Sequence, residues 1–479
     1  MPIYGIHIFR RDYRIIDNTS LISLSKKVDK IIPIFIFTHT QIDKSKNHYK
    51  SNNCVQFLVE SLLDLDAQIR KVSPHAKLRV YYGDEYEILT SLLTKNPEIR
   101  YISFNADYTK FSKERDAKIR DIASHINPAP ITVICEDDIL LHPLGTIKTT
   151  TGKTYTKFTP FLNASLAQIK SIRQPSRKPI KNFIGSITLH GPTEYNGDLR
   201  KMHDSITNTH IPERGGRTNG LKILKRISSA HTWNNYNQLR DQLSYNTTHL
   251  SPFNKFGCIS IREVFWAMHK GLGVRNELIR QLIWRDFFYN LSATHDYIYS
   301  TGPMNTKWND IPWENNPEKW HAWTTGQTGY PVVDACMAEI NTTGYMHNRG
   351  RLIVSNFLTR ILHIDWRWGE RYFAQHLYDY DPAQNSFGWQ INAAVSGTES
   401  RPLSQTILNP WIQSAKYDPE AVYIKKWLPA LTDVPAADLH KWDTKCEKYI
   451  GSDSGIRYPK PIVDYTTEKE KNLRLYRLH

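Results

Sequence analysis

Between residues 3 and 135, short apolar runs alternate with longer stretches whose apolar positions recur at helical spacing. The runs Tyr4–Phe9, Ile31–Phe37, Lys77–Tyr82, Tyr101–Phe104 and Ile131–Cys135 have the length of strands, and segments such as Cys54–Val72 and Lys113–Ser124 have the period of helices. This alternation predicts a doubly wound parallel sheet of the α/β class. Glycine is scarce here, and neither GxGxxG nor a GxxxxGK motif follows a strand, which argues against those two kinds of nucleotide-phosphate site. Residues 136–215 lose periodicity and are rich in Lys, Thr, Pro and Ser, the pattern of a connector. From about residue 216 the pattern is helical, as in Leu221–Ser229, Ile261–His269, Asn276–Leu291, Val332–Asn341 and Arg351–His363. The expected organisation is an α/β domain at 1–135, a connector at 136–215 and an all-α domain at 216–479.

The stretch from Gly344 to Trp389 places charge inside what otherwise reads as core. Leu352, Ile353, Val354, Phe357, Leu358, Ile361 and Leu362 recur at helical spacing and are expected to bury one face, while Asn348 and Leu352, and likewise His347 and Arg351, lie four apart and share a face. A helix after Gly369 is expected to stop near Asp379, because Pro382 cannot continue it. Buried Arg and Asp are costly unless paired or bound. The pattern therefore supports either a structural Arg–Asp pair or a pocket for a polar cofactor.

Charge changes the picture next. The 479 residues hold 62 Lys plus Arg against 47 Asp plus Glu, a net +15, which points to a polyanionic partner such as nucleic acid or an acidic surface. No run of 18 apolar residues suggests a membrane span. The N-terminus reads as a strand rather than a signal peptide. The cysteines, Cys54, Cys135, Cys258, Cys336 and Cys446, are scattered without a CxxC pair, so an intracellular, reducing compartment and no metal site are expected. The 13 Trp and 26 Tyr fit either a large core or redox and stacking chemistry.

Several ordered motifs resemble the DNA photolyase/cryptochrome family, most closely the bacterial-type enzymes that repair cyclobutane pyrimidine dimers. They include Phe9-Arg-Arg-Asp-Tyr-Arg14, Asn105-Ala-Asp-Tyr-Thr-Lys-Phe-Ser-Lys-Glu-Arg-Asp116, Gln281-Leu-Ile-Trp-Arg-Asp-Phe287 and Asp379-Tyr-Asp-Pro-Ala-Gln-Asn385. The resemblance spans about Ile6 to Tyr476 and implies an N-terminal domain for an accessory antenna chromophore and a helical domain for FAD. Thr109 stands where folate-binding members carry Glu, so the antenna's identity stays open. The implied partner is UV-damaged DNA, met by a monomer with no membrane attachment.

Residue by residue, the resemblance implies FAD contacts from Tyr236, Thr247, Thr248, His249, Leu250, Ser251, Arg351, Asp379, Tyr380, Asp381 and Asn385. By itself the Thr247–Ser251 segment reads equally as helix capping or as a phosphate cradle. Asn385 falls at the position facing flavin N5, where a neutral amide adds no like charge beside a reduced anionic flavin. Trp389, Trp366 and Trp313 match the family's electron-transfer chain, although three such Trp would otherwise read as core packing. Gln281, Trp284, Arg285, Asn348, Arg349 and Gln413 match lesion-side or DNA-contact positions. Six-four photolyases carry His at the positions of Asn348 and Leu352, and this chain does not. Against the cyclobutane pattern, Gln281 replaces Glu and Ile391 replaces a second stacking aromatic. The implied activity is light-driven repair of cyclobutane dimers. The alternatives are a cryptochrome-like photoreceptor, a six-four photolyase, or a basic nucleic-acid-binding protein without cofactor. Asn385 and the short chain after Tyr465 favour repair over signalling.

Overall fold

A computed structural model describes residues 2–477 apart from 127–129, 186, 203–206, 229–232, 234, 296–301, 399–401 and 451–454. The five expected strands form one parallel sheet: β1 (Tyr4–Ile8), β2 (Lys30–Phe37), β3 (Arg79–Tyr82), β4 (Ile99–Asn105) and β5 (Thr132–Glu136), in the order β3-β2-β1-β4-β5. Ile6 pairs with Ile32 on one side and Ile102 on the other, and all three are fully buried. Helices such as Asn52–Val72, Glu85–Lys95 and Lys110–Ser124 connect the strands, as parallel pairing requires. Strand order reverses between β1 and β4, the topological switch point where α/β sheets place their ligands. There Arg10 bonds Asp116 (2.5 Å) and Glu85 (3.0 Å), and Arg11 bonds Asp107 (3.1 Å). Thr109 caps the Lys110–Ser124 helix by accepting from the Ser112 amide.

The chain forms two compact units that do not follow its order. The first comprises Met1–Thr207, Glu213–Asn234 and Thr248–Asp296, and the second comprises Asn208–Pro212, Asn235–Thr247 and Tyr297–His479. What ties residues 248–296 to the sheet in the first unit is a buried ionic network. Asp17 accepts from Ser260 (2.6 Å) and Arg262 (2.8 Å), and Asp138 accepts from Arg262 (2.6 Å) and Thr19 (2.6 Å) and pairs with Arg14. Burial alone would push both carboxyls up, but Arg262 for Asp17, and Arg14 then Arg262 for Asp138, hold them below the usual carboxylate range.

A carboxyl depressed in the folded state stabilises the fold above its unfolded pKa and loses that contribution as pH falls through its folded pKa. Asp138→Asn, which leaves two buried guanidiniums short of a carboxylate, is therefore expected to cost about 3–5 kcal/mol in denaturant unfolding near neutral pH. The gap to wild type should close progressively below about pH 4. A pH-independent gap would assign Asp138 to packing alone.

The second unit is helical. Its core contains Trp323, Val333, Met337, Phe357, Leu358, Trp366, Phe373, Trp389 and Trp442. The expected helices occur here and in the first unit, with slightly different ends: Arg217–Ser228, Ile261–Leu272, Glu277–Thr294, Pro331–Thr343 and Asn348–Arg360. Residue 229, at the expected end of the first of these, lies outside the described residues. Pro382 does more than end the preceding segment. It stands at the first position of a new helix, Pro382–Asn392, where its missing N–H costs nothing. Asp381 caps that helix by accepting from the Gln384 amide at 3.3 Å. Among the described residues, no helix is long and apolar enough to cross a membrane.

Candidate functional site

The helix that Pro382 starts places Asn385 and Trp389 four apart on one face. Asn385 is half-buried and donates both amide hydrogens to Glu370, one to its carbonyl (2.9 Å) and one to its carboxylate (2.9 Å). Its orientation is thereby fixed, and the side-chain oxygen is left as the group it can offer a ligand. Glu370 was not expected from sequence. A signal for it exists: Trp366, Gly369, Glu370, Phe373 and Ala374 form the buried face of the Trp366–His376 helix, and an acid on that stripe must have a polar partner.

Arg351 and Asp379 form the expected pair. One guanidinium nitrogen of Arg351 reaches both carboxylate oxygens, at 2.9 and 3.1 Å, and its Nε donates to the Met346 carbonyl at 2.9 Å. The Asp379 side chain is 3% exposed and that of Arg351 27%, so the pair reaches solvent through the arginine. A carboxylate accepts about four hydrogen bonds, so Asp379 has capacity beyond these two. A guanidinium, a carboxylate and an oriented amide oxygen together suit a flat heterocycle bearing both N–H and C=O groups, which is the character of a flavin ring.

Thr247 and Tyr236 belong to the second unit, and Thr248 to Ser251 to the first. Thr247 shares a hydrogen bond with the Tyr345 hydroxyl at 3.2 Å, and Tyr236 opens a short helix, Tyr236–Leu239, with its ring 6.3 Å from Tyr245. His249 has φ +52°, and Ser251 begins the short Ser251–Lys255 helix with Pro252 behind it. Tyr380 is half-buried.

The positions expected to meet DNA divide. Asn348 is exposed at the first position of the Asn348–Arg360 helix, which His347 caps through Nδ1. Arg349 pairs with Asp241 (2.9 Å) and lies over the Tyr417 ring, leaving its side chain 16% exposed. Gln413 keeps a buried Oε1 that accepts no hydrogen bond from the described residues. Gln281 donates to Glu277 (3.1 Å) on its own helix, and Trp284 stacks face to face on Phe158 with centroids 3.5 Å apart. Arg285 departs from expectation. It is 5% exposed, bonds the Ile139 carbonyl (2.8 Å) and the Tyr289 hydroxyl (3.3 Å), and lies over the Tyr289 ring. A guanidinium so enclosed presents little surface to a phosphate.

Of the three expected tryptophans, Trp389 and Trp366 are buried and Trp313 is half-buried against the same core. A cluster that could suggest a metal, Glu314, His363 and Glu468, is already neutralised: Lys319 approaches Glu314 (3.1 Å) and Glu468 (3.5 Å), and Lys471 pairs with Glu314.

Residues 5–180 match the family described as DNA photolyase, and residues 278–478 match the family described as the FAD binding domain of DNA photolyase. The chain is 30% identical to the deoxyribodipyrimidine photo-lyase of Vibrio cholerae over 98% of each chain. It resembles the archaeal photolyase of Sulfolobus tokodaii, solved with two FAD molecules, at a TM-score of 0.82 and 34% identity, covering 100% of both chains. The class III photolyase of Agrobacterium tumefaciens gives a TM-score of 0.87 at 26% identity, covering 100% of this chain and 98% of that one.

Proposed function

The chain belongs to the DNA photolyase family, and from that premise we propose that it uses blue light and noncovalently bound FAD to split cyclobutane pyrimidine dimers in UV-damaged DNA. The observations that carry this reading are Asn385, a neutral amide held by Glu370, and the Arg351–Asp379 pair on the segment just before it. When bound, FAD supplies the light-excited electron donor that opens the dimer, and the chain supplies binding, orientation and electrostatics.

In this assignment Arg351, Asp379, Tyr380 and Asp381 hold the flavin ring edge, and Asn385 adds no like charge there. Thr247, Thr248, His249, Leu250, Ser251 and Tyr236 are assigned to the rest of the cofactor, and Trp389, Trp366 and Trp313 to its photoreduction. Gln281, Trp284, Asn348, Arg349 and Gln413 are assigned to the lesion strand, extruded from the duplex for repair. Sheet residues 1–135, connector 136–215 and helical residues 216–479 serve as antenna, link and catalytic regions of a monomer working in a reducing intracellular compartment. The switch point between β1 and β4, with Arg10 and Arg11, is the place for a second chromophore. The S. tokodaii relative carries two FAD molecules, so a second flavin is the first to test.

Two features support cyclobutane dimers over six-four products. Six-four repair needs a positioned acid, and neither Asn348 nor Leu352 can serve. His347 is 3% exposed and uses Nδ1 as a helix cap. The test is chemically reduced protein assayed on both defined lesions under blue light with dark controls. Light-dependent loss of the cyclobutane lesion alone is the expected result. Loss of only the six-four lesion would overturn the assignment, and loss of neither would make the protein a photoreceptor.

A further inference from the structure

Arg349 is held in place before any ligand arrives. Its guanidinium lies over the Tyr417 ring, 4.3 Å from the centroid, and one terminal nitrogen pairs with Asp241 at 2.9 Å. The contact engages one nitrogen of a group that carries five N–H donors, so capacity for a phosphate remains. All three residues belong to the second unit. Arg349 is the second residue of the Asn348–Arg360 helix, next to exposed Asn348. Asp241 follows the short Tyr236–Leu239 helix, and the residues after it are hung on the Pro410–Tyr417 helix. The Gln242 side-chain amide donates to the Lys416 carbonyl at 3.5 Å, and the Leu243 backbone amide to the Tyr417 carbonyl at 2.9 Å. Carboxylate and ring are thus fixed to each other through the backbone, and both hold the guanidinium. Lys416 beside them is different: it is exposed, a point charge on a flexible stem that can follow any phosphate.

We propose that Asp241 is a positioning residue that sets lesion selectivity. It keeps Arg349 against Tyr417, so that the guanidinium meets a phosphate carried inward with the extruded dimer and does not swing out to the backbone of an undamaged duplex. The proposal rests on the reading above, which assigns Arg349 to the lesion strand.

Selectivity is a difference of affinities, and it grows when the unwanted mode is penalised. To reach an undamaged strand, Arg349 must leave both Asp241 and the ring, and the loss of an ion pair and a cation–π contact is the penalty. A phosphate that arrives at the held fork breaks neither contact. It also meets a side chain already ordered, which lowers the entropic cost of binding. A mobile arginine would reward both kinds of DNA alike. A carboxylate that every phosphate had to displace would be a different device, because it would weaken both by the same factor.

The test is binding, in the dark and over a salt series, of the flavin-loaded protein to a duplex holding one cyclobutane dimer and to the same duplex without it. Asp241→Asn should raise affinity for the undamaged duplex about 2- to 5-fold. Its log–log salt slope should steepen by about 0.9, as one more phosphate is neutralised. Affinity for the damaged duplex should stay level or fall, so the ratio between the two drops. The undamaged gain should vanish when Asp241→Asn is combined with Arg349→Ala. Arg349→Ala alone should weaken damaged binding more than undamaged binding, and it decides the matter even where Asp241→Asn does not fold, which flavin content and the urea midpoint report. An unchanged ratio in Asp241→Asn, or a gain that survives the loss of Arg349, would overturn the proposal, as would Arg349→Ala weakening both duplexes by one factor. Those outcomes leave the assignment of Arg349 or the repair activity standing. Arg349→Ala with no effect on damaged binding would instead take Arg349 off the lesion strand and overturn both.

Discussion

Replacing Arg351 with alanine is expected to yield protein that purifies nearly colourless and unfolds at lower denaturant concentration. Asp379 is almost wholly inside, and among the described residues the guanidinium of Arg351 supplies both hydrogen bonds to its carboxylate. Removing the partner of a buried charge costs about 3–5 kcal/mol, more than most single substitutions. Burial alone would lower the Arg351 pKa, but Asp379 raises it, so the cation is present at any working pH. Lysine would restore charge but not the planar fork, so Arg351→Lys should recover part of the stability and little of the flavin. Asp379→Asn should be milder for stability, because it strands an arginine that already reaches solvent. The checks are the ratio of flavin to protein absorbance and the urea midpoint of each variant. Full flavin content in Arg351→Ala would remove the pair from the cofactor site.

The second large effect is expected from the smallest change, Gly369→Ala. A methyl group at this position would come within 2.1 and 2.4 Å of the Trp389 ring and 2.7 Å of Leu358. Alanine gains about 1 kcal/mol over glycine in a helix interior. Overpacking costs about 1–3 kcal/mol, and more where the neighbour cannot retreat. Trp389 cannot retreat, since Phe373 (5.0 Å) and Trp323 (6.1 Å) brace its ring. The clash should therefore win, giving a lower melting temperature and slower photoreduction, with flavin retained. A more stable variant with normal photoreduction would show that the ring has room to move.

The fold was legible because each strand is a short apolar run and each helix keeps its own period, so local pattern and tertiary burial agree. The Arg351–Asp379 pair could be found for a related reason, as charges on an apolar stripe demand partners. What escaped was whatever depends on two distant segments meeting. Nothing near Asn385 in the chain announces Glu370, and the Asp241–Arg349 pair joins a turn to a helix far from it in sequence. Spacing alone also does not give the direction of Arg285, which turns inward to Ile139 and Tyr289 while its neighbour Trp284 is half-buried. Pro382 marked the end of the Trp366–His376 helix but not the start of the next, because proline both ends and begins helices, and only the capping Asp381 before it distinguishes the two.

The buried network of Arg14, Asp17, Asp138 and Arg262 also sets a timetable for biosynthesis. Arg262 lies 124 residues after Asp138. At ~5–20 residues per second, the ribosome needs roughly 6–25 s to deliver it. During that interval the sheet strands are already made, but Asp17 lacks Ser260 and Arg262, and Asp138 lacks one of its two cations. The network is thus completed only after the chain has passed residue 262. For the same reason, a fragment cut at residue 215 would carry every strand yet lack Ser260 and Arg262, whereas one reaching residue 296 would include the whole network.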